Sequence, residues 1–396
     1  MMAAGRCAER GRRTLLLERT PRPGNKIRIA GKGRCNITNA DTVRNLIPCY
    51  GRNGRFLYRA LTEFPPDKLI AFFQERGVPL KTERGGRVFP ASDNAADIVA
   101  ALQRYLRAHG VHVRCDARVA ALRCEDVSVS GVTLTGGEQL HAPRVIIATG
   151  GMSYTGTGSS GDGYRFAAQT KHAVLPPRPA LVPLETAEPF VRTLQGAALK
   201  NVAVSYLVDG IRHDGGFGEM LFTHYGVSGP VIVTISGDIG DRLAAGHTVH
   251  LSINFKPALD RATLNDRLLR EFSAAGSAPV SAALKTVLPR ALVPVFAEQL
   301  RIPPDRRCHQ VTRGQRNALL GMLTDFRLRV TRTRPIDEAI VTRGGVSLDA
   351  VDPRTMESRI IRGLYFCGEV LDVDGVTGGY NLQAAFATGR LAGDSV

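Results

Sequence analysis

The sequence predicts an α/β fold in which both chain ends build one domain, interrupted by a β-rich insert that itself carries a helical piece. Three observations predict it. The apolar run Thr14–Leu17 ends in an acid, the run Val145–Ala148 opens onto "TGG", and "GLYFCGEV" restores a similar run near the C-terminus. Each is short and apolar like a buried parallel strand, whereas from about Leu184 to Phe255 the text is largely strand-like.

Taken in order, "AAGRCAERG" suits the end of a helix stopped by Gly11. It forms, with the strand after it, the second half of a β-α-β unit. Glu18 then stands where such units place an acid that accepts a hydrogen bond from a cofactor ribose; an exposed strand-end acid is the plainer alternative. Asp93 to Arg107 has a polar start and apolar positions at helical spacing, which predicts an amphipathic helix. A β-meander follows and leads into Val145–Ala148. "VAVSYLVDG" and "PVIVTISG" read as strands, Leu268 to Leu323 as helical with a turn at Pro303-Pro304, and "NLQAAFATGRLAG" as a helix closed by Gly393. Pro176 to Pro183 is the linker candidate, because consecutive prolines stiffen a crossing.

At 396 residues the chain is long enough for two or three domains. No apolar run approaches the roughly 20 residues that span a bilayer, and no secretory h-region is visible. These features predict a cytoplasmic protein without membrane association. Seven scattered cysteines with no C-x-x-C pair read as reduced thiols, and the nine histidines lack ligand spacing, so no metal site is predicted. A net charge of +16 raises nucleic acid as a partner. Because the charge is spread through the chain, a solvated basic surface is the favoured reading.

Three glycine-rich stretches carry the chemistry. In Gly24 to Asn39 the glycines allow close backbone approach, and Lys26, Arg28, Lys32 and Arg34 supply charge for a pyrophosphate. Val145 to Gly151 runs a strand into Thr149-Gly150-Gly151, at the sheet edge where open α/β folds hold ligands. In Tyr365 to Phe386, Gly378 and Gly379 precede a helix whose free N–H groups suit an anion. Gly156, Gly158 and Gly161 spell G-x-G-x-x-G, far from the N-terminal position at which such a fingerprint usually follows the first strand.

"LLLERTPRPGNKIRIAGKGRCNITN", "ATGGMSYTGTGSSGDGY", "GEMLFTHYGVSGP", "TRPIDEAIVTRGGVSL" and "TMESRIIRGLYFCGEVLDVDGVTGGYNLQAAFATG" resemble the YhiN/BaiN-like family of bacterial NAD(P)/FAD-dependent oxidoreductases, the aminoacetone-oxidase-family FAD-binding enzymes. The resemblance covers nearly the whole chain. It implies a glutathione-reductase-type, Rossmann-like FAD-binding domain over residues 1–183 and 344–396. It further implies a β-barrel-like insert over 184–257 and 325–343, and a helical subdomain over 258–324. Carried over by position, Glu18 would hold the adenosine ribose, and Lys26 with Gly31, Gly33, Arg34, Cys35 and Asn36 would approach pyrophosphate and flavin. Val119 would offer backbone to the adenine, and Thr149 and Gly150 would line the cofactor crossing. Glu369, Asp374, Gly379, Asn381, Leu382 and Gln383 would meet the ribityl chain and isoalloxazine. The family's first strand and glycine turn would lie upstream of Met1, so the sequence departs from the pattern by truncation.

The function so implied is hydride transfer through flavin N5, as a reductase linked to NADH or NADPH as transient donor or as an amine oxidase, on a small-molecule substrate. Cys35 is a candidate redox thiol and His224 a candidate acid or base; a small residue filling a turn and a packed insert histidine are the plain alternatives. An RNA-acting flavoprotein and a non-catalytic truncated remnant are the competing readings.

Overall fold

The computed structural model describes residues 1–303 and 305–396; Pro304, and with it part of the expected Pro303-Pro304 turn, lies outside the described residues. The chain forms two compact units, Met1–Ala180 with Ile336–Val396, and Leu181–Pro335.

In the first unit α1 (Met2–Glu9) turns through Gly11, at φ 82°, into β1 (Leu15–Leu17). Next come α2 (Asn25–Ile29), β2 (Thr38–Asn39), α3 (Val43–Leu46), the 3-10 segment Ile47–Leu57, α4 (Tyr58–Glu63) and α5 (Pro66–Gln74). β3 (Leu80–Glu83) and β4 (Arg87–Pro90) join β2 in a small antiparallel sheet. α6 (Ala95–Ala108) starts where the Asn94 side chain accepts the Ala96 N–H at 2.9 Å, and buries Ile98, Leu102, Tyr105 and Leu106 along one stripe. β5 (His112–Arg114) lies parallel to β1. The meander β6 (Val119–Glu125), β7 (Ser128–Leu134) and β8 (Gln139–His141) leads into β9 (Val145–Ile147), α7 (Asp162–Gln169) and β10 (Val174–Ala180).

The second unit is a closed barrel. Its strands are β11 (Leu184–Thr186), β12 (Ala198–Val208), β13 (Ile211–Phe222), β14 (Gly226–Ser228), β15 (Val249–Asn254) and β16 (Phe326–Thr333), in the order β11-β14-β13-β12-β15-β16. Val202, Val204, Leu251, Ile253, Leu328 and Val330 alternate into its core. "PVIVTISG", expected as a strand, is instead the start of helix α8 (Pro230–Ala244). Gly229, at φ 99°, frees the turn and Pro230 opens the helix. Val231, Ile232, Ile235 and Ile239 then recur at helical spacing and are buried, so tertiary packing overrides the β preference of branched residues. Between β15 and β16 stand α9 (Arg261–Ala275), α10 (Val280–Val287), α11 (Leu292–Gln299) and α12 (Arg313–Thr324).

The chain returns to the first unit as β17 (Val341–Val346), β18 (Leu364–Phe366) and α13 (Tyr380–Ser395). β17 pairs antiparallel with β10, so the proline run is largely strand rather than linker. Pro176 and Pro177 fall at the register break between Leu175 and Arg178, where the ladder asks for no N–H. Pairing with β10 also places Ile336–Arg343 in the first unit, whereas the expected boundary ran the insert to residue 343. No helix among the described residues is long and apolar enough to cross a membrane.

The first unit contains two separate parallel pairs, β1–β5 and β9–β18. α1 begins at their C-terminal ends: the α-amino group of Met1 is buried, which lowers its pKa, and the Cys367 thiol and the Glu18 carboxylate are among its neighbours. α1 is clamped on both sides. A Cβ on Gly393 of α13 would stand 2.8 Å from the Ala3 carbonyl, and one on Gly5 would stand 2.2 Å from the buried Tyr105 ring. The Tyr105 hydroxyl donates to Glu9 at 2.8 Å, and Arg6 bridges Glu9 at 2.7 Å and Asp394 at 2.6 Å. Gly393→Ala is therefore expected to destabilise the first unit by about 1 to 3 kcal/mol through overpacking. In contrast, Gly321→Ala on α12, where an added Cβ meets open space, should stabilise by roughly up to 1 kcal/mol; denaturant midpoints by circular dichroism check both signs.

Candidate functional site

Ligands in open α/β folds bind beyond the C-terminal ends of parallel strands. In the first unit that crest carries Glu18 after β1, Thr149 and Gly150 after β9, and Glu369 after β18. Glu18 is held by Thr20, whose N–H and hydroxyl donate to its Oε1 at 2.8 and 2.7 Å.

Four distant segments meet at Lys26. Its Nζ donates to Glu369 Oε2 at 2.5 Å and to Ser153 Oγ at 2.6 Å. Glu369 Oε1 accepts the Thr342 N–H at 2.7 Å and the Ser153 hydroxyl at 3.2 Å. The Thr342 hydroxyl oxygen accepts the N–H groups of Met152 and Ser153 at 2.8 and 3.0 Å. The glycines of "ATGG" make room: a Cβ on Gly151 would sit 2.4 Å from Thr342 Oγ1. The Lys26 side chain remains 29% exposed and that of Glu369 17%, so a paired cation faces the crest.

The loop after α2 curls because Gly31, Lys32, Gly33 and Cys35 all have positive φ, between 58° and 84°. Lys32 is exposed, whereas the side chains of Arg34, Cys35 and Asn36 are taken up within the protein. Arg34 bonds Asp93 at 2.7 Å, pairs with Glu83, and lies 4.1 Å over the Phe89 ring. Asn36 accepts the Val88 N–H at 3.2 Å. Cys35 is fully buried, and burial pushes its thiol up to about 12.

At the C-terminal motif, Asp374 pairs with Arg343 at 3.0 Å. Asn381 accepts the Gly375 N–H and donates to the Gly375 carbonyl, both at 2.8 Å, folding the loop onto the first turn of α13. Gly379, at φ 101°, lets that turn approach β2; a Cβ there would stand 2.4 Å from the Thr38 carbonyl. Gln383 is fully buried, accepting the Thr38 hydroxyl at 2.6 Å and donating to Phe64 O at 2.8 Å. Leu382 packs against the core. Five buried side-chain atoms have no hydrogen-bond partner among the described residues, the Tyr164 hydroxyl and Arg28 Nε among them. Burial raises the Tyr164 phenol, with Glu369 and Asp372 adding to the shift. Orphans of this kind fit a polar ligand or ordered water.

The model of the HI0933-like protein Rossmann domain matches residues 1–395. The chain belongs to the HI0933-like family. It is 33% identical to the 3-dehydro-bile acid delta(4,6)-reductase of Clostridium scindens, over 96% of this chain and 91% of that protein. It is equally identical to the ribosomal RNA dihydrouridine synthase of Escherichia coli, over 98% and 93%, and 29% identical to the Haemophilus influenzae protein of the same name, over 98% and 93%. In fold it is similar to a flavocytochrome c3 fumarate reductase (TM-score 0.51, 17% identity, 100% of this chain and 75% of that one). The 3-ketosteroid-delta4-(5alpha)-dehydrogenase of Rhodococcus jostii RHA1 is similar too (TM-score 0.51, 16% identity, 100% and 93%). This HI0933-like chain is an FAD-dependent oxidoreductase.

Two other expected residues of the HI0933-like chain make none of the bonds of the Lys26 cluster. Val119 opens β6, where its carbonyl accepts from Arg165 at 3.5 Å. His224 stands in the second unit, exposed in the turn between β13 and β14, edge-on to Tyr225 with 4.7 Å between ring centres. The fingerprint-like glycines do lie between a strand and a helix. Even so, the first turn of α7 already holds the Asp162 carboxylate, which Arg118 bonds at 3.0 Å, so its positive end is answered within the chain. Ser153, Thr342 and Tyr164 were not singled out from sequence, although all three fall inside the family-like motifs.

Two outcomes follow from this geometry. A pKa raised by burial means a protonated, sheltered thiol, so iodoacetamide at pH 8 followed by peptide mapping should label exposed Cys124 and spare Cys35 and Cys367. Lys26→Met and Glu369→Gln should each destabilise the protein, while the double variant loses less than their sum by about 0.5 to 3 kcal/mol; urea unfolding of the four-member cycle measures the coupling.

Proposed function

We propose that the chain uses reduced FAD to saturate a carbon–carbon double bond conjugated to a carbonyl, and that its substrate is a uracil within RNA. The structural observation that carries the reading is the half-buried Lys26 ammonium, fixed by Glu369 and Ser153 at the crest beyond the parallel strands. It supports a site that binds electron-rich, anionic groups while keeping its own charge balanced.

FAD, when bound, supplies the hydride. Glu18, Lys26, the Gly31–Asn36 loop, Val119, Thr149 and Gly150 would hold that cofactor, together with Glu369, Asp374, Gly379, Asn381 and Leu382; Gln383, buried on Thr38 and Phe64, would act only by fixing the turn beneath them. The chain's part is position and charge. Glu369, Ser153 and Thr342 orient the Lys26 ammonium, and the unpaired Tyr164 hydroxyl offers a buried hydrogen-bond donor near Glu369. NADH or NADPH would be the source of the electrons, and a solvent proton would complete the saturated bond.

The reduction direction is favoured over amine oxidation because the relatives in Clostridium scindens and Escherichia coli are named a reductase and a dihydrouridine synthase. Both names describe hydrogen added across a double bond. RNA is favoured over a small enone by the local, acid-free basic stretch from Thr42 to Thr62, a cluster that a chain-wide excess of charge does not by itself supply. The bile-acid reductase, at equal identity, supports the small enone as second reading.

The test is anaerobic mixing of FAD-loaded protein with NADH, NADPH or an amine, then with a uracil-containing transcript or a steroid enone. Bleaching by a nicotinamide and recovery of colour on adding RNA, with a two-hydrogen mass gain at uridine, is the expected result. Bleaching by the amine alone would refute the reductase reading. Recovery with the enone and not with RNA would move the substrate to the second reading.

A further inference from the structure

The segment from Val43 to Glu63 packs on the C-terminal loop that follows Glu369, yet its outer side has no role in that packing. Asn53 Nδ2 donates to the Asp372 carbonyl at 2.6 Å and to its carboxylate at 2.9 Å. The Tyr50 hydroxyl donates to Tyr380 O at 2.9 Å, and the Val376 N–H donates to Cys49 O at 3.0 Å. These bonds fix the segment to Asp372–Tyr380. Its shape is set as well: Gly51 takes φ 55°, and a Cβ on Gly54 would stand 2.1 Å from Ile47 O.

The exposed side is basic and carries one aromatic. No acidic residue occurs from Thr42 to Thr62, while Arg44, Arg52, Arg55 and Arg59 do. Arg59 is answered by Glu63 at 2.8 Å and Arg52 stands 3.7 Å from Asp372. Arg44 and Arg55 are exposed and form no ion pair among the described residues. Tyr58, three residues on from Arg55, is 62% exposed. Along a 3-10 segment running into a helix, Arg52 to Arg59 spans roughly 13 Å, a run of cations on the scale of a few nucleotides.

We propose that this segment docks single-stranded RNA next to the flavin site, with Arg44 and Arg55 on phosphates and the Tyr58 ring stacked on a base. The inference rests on the RNA reading above and names its docking surface. Unpaired guanidinium groups on a rigid segment are answered by phosphate, and an exposed ring among cations is the usual platform for an unpaired base. Anchoring through Asn53 and Tyr50 places the bound strand beside the loop that carries Asp372 and Asp374.

The test is fluorescence anisotropy of FAD-loaded protein with a labelled single-stranded oligouridylate across a salt series. Arg44→Ala/Arg55→Ala should weaken binding about tenfold at low salt and reduce the slope of log K against log salt by about 1.4, the value for two phosphate contacts on a single strand. Tyr58→Ala should weaken binding at least about fivefold with the slope unchanged. Retained flavin absorption and an unchanged thermal midpoint show that each variant folds. RNA affinity equal to the parent's in both variants overturns the proposal, as does competition by polyglutamate as strong as by RNA, which would mark a general polyanion surface. Bleaching by NAD(P)H is read separately. Its absence in the parent would refute the reductase reading and leave the docking result standing, whereas normal bleaching with unaltered RNA binding in the variants would remove only the dock.

Discussion

Everything at the crest depends on one ion pair closed across the length of the chain. Lys26 and Glu369 are 343 residues apart and meet at 2.5 Å. A half-buried charge left alone would cost several kcal/mol, and the same charge paired and hydrogen-bonded costs little. The pair therefore enforces the meeting of the two chain ends that the hydrophobic core permits. Ser153 and Thr342 bind the same carboxylate from two further segments, so the site assembles only once β9, β17 and β18 are all in place. Moving any one of them would leave a polar group of this cluster without its partner.

Strand placement was legible where the apolar runs were short and bounded by glycine. Leu15–Leu17, Val145–Ile147 and Leu364–Phe366 lie inside the expected runs, because a buried parallel strand needs little beyond apolar length and a turn. The helix α8 was not legible in that way. Eight residues rich in valine and isoleucine suit either state, and the decision lay in what surrounds them, a left-handed Gly229, a proline at the first turn and six barrel strands. The prolines of β10 misled for a related reason: a two-stranded ribbon with a bulge tolerates a missing N–H that a central strand would not.

The site was legible as motifs more than as roles. Lys26 and Glu369 were both expected near the cofactor, yet their bond to one another has no signature in spacing, since it crosses the whole fold. Gln383 and Arg34 illustrate the complementary limit. Both lie in glycine-rich motifs, and both side chains turn out to be committed within the protein, to Thr38 and Phe64 in one case and to Asp93 and Glu83 in the other. A motif records that a backbone must pass close to something; it does not record which way the neighbouring side chain points.

Buried thiols shape what chemistry remains. Cys35 and Cys367 are enclosed and their thiols stand near 12, so neither is a thiolate at neutral pH, and a thiol raised by burial is a poor nucleophile. With sulfur set aside, the polar groups at the crest of the first unit are a lysine ammonium, carboxylates, hydroxyls and backbone amides. That inventory stabilises charge and directs hydrogen bonds but stores no electrons. An oxidoreductase with such residues must take its electrons from a bound redox group, which is the requirement FAD meets in this family.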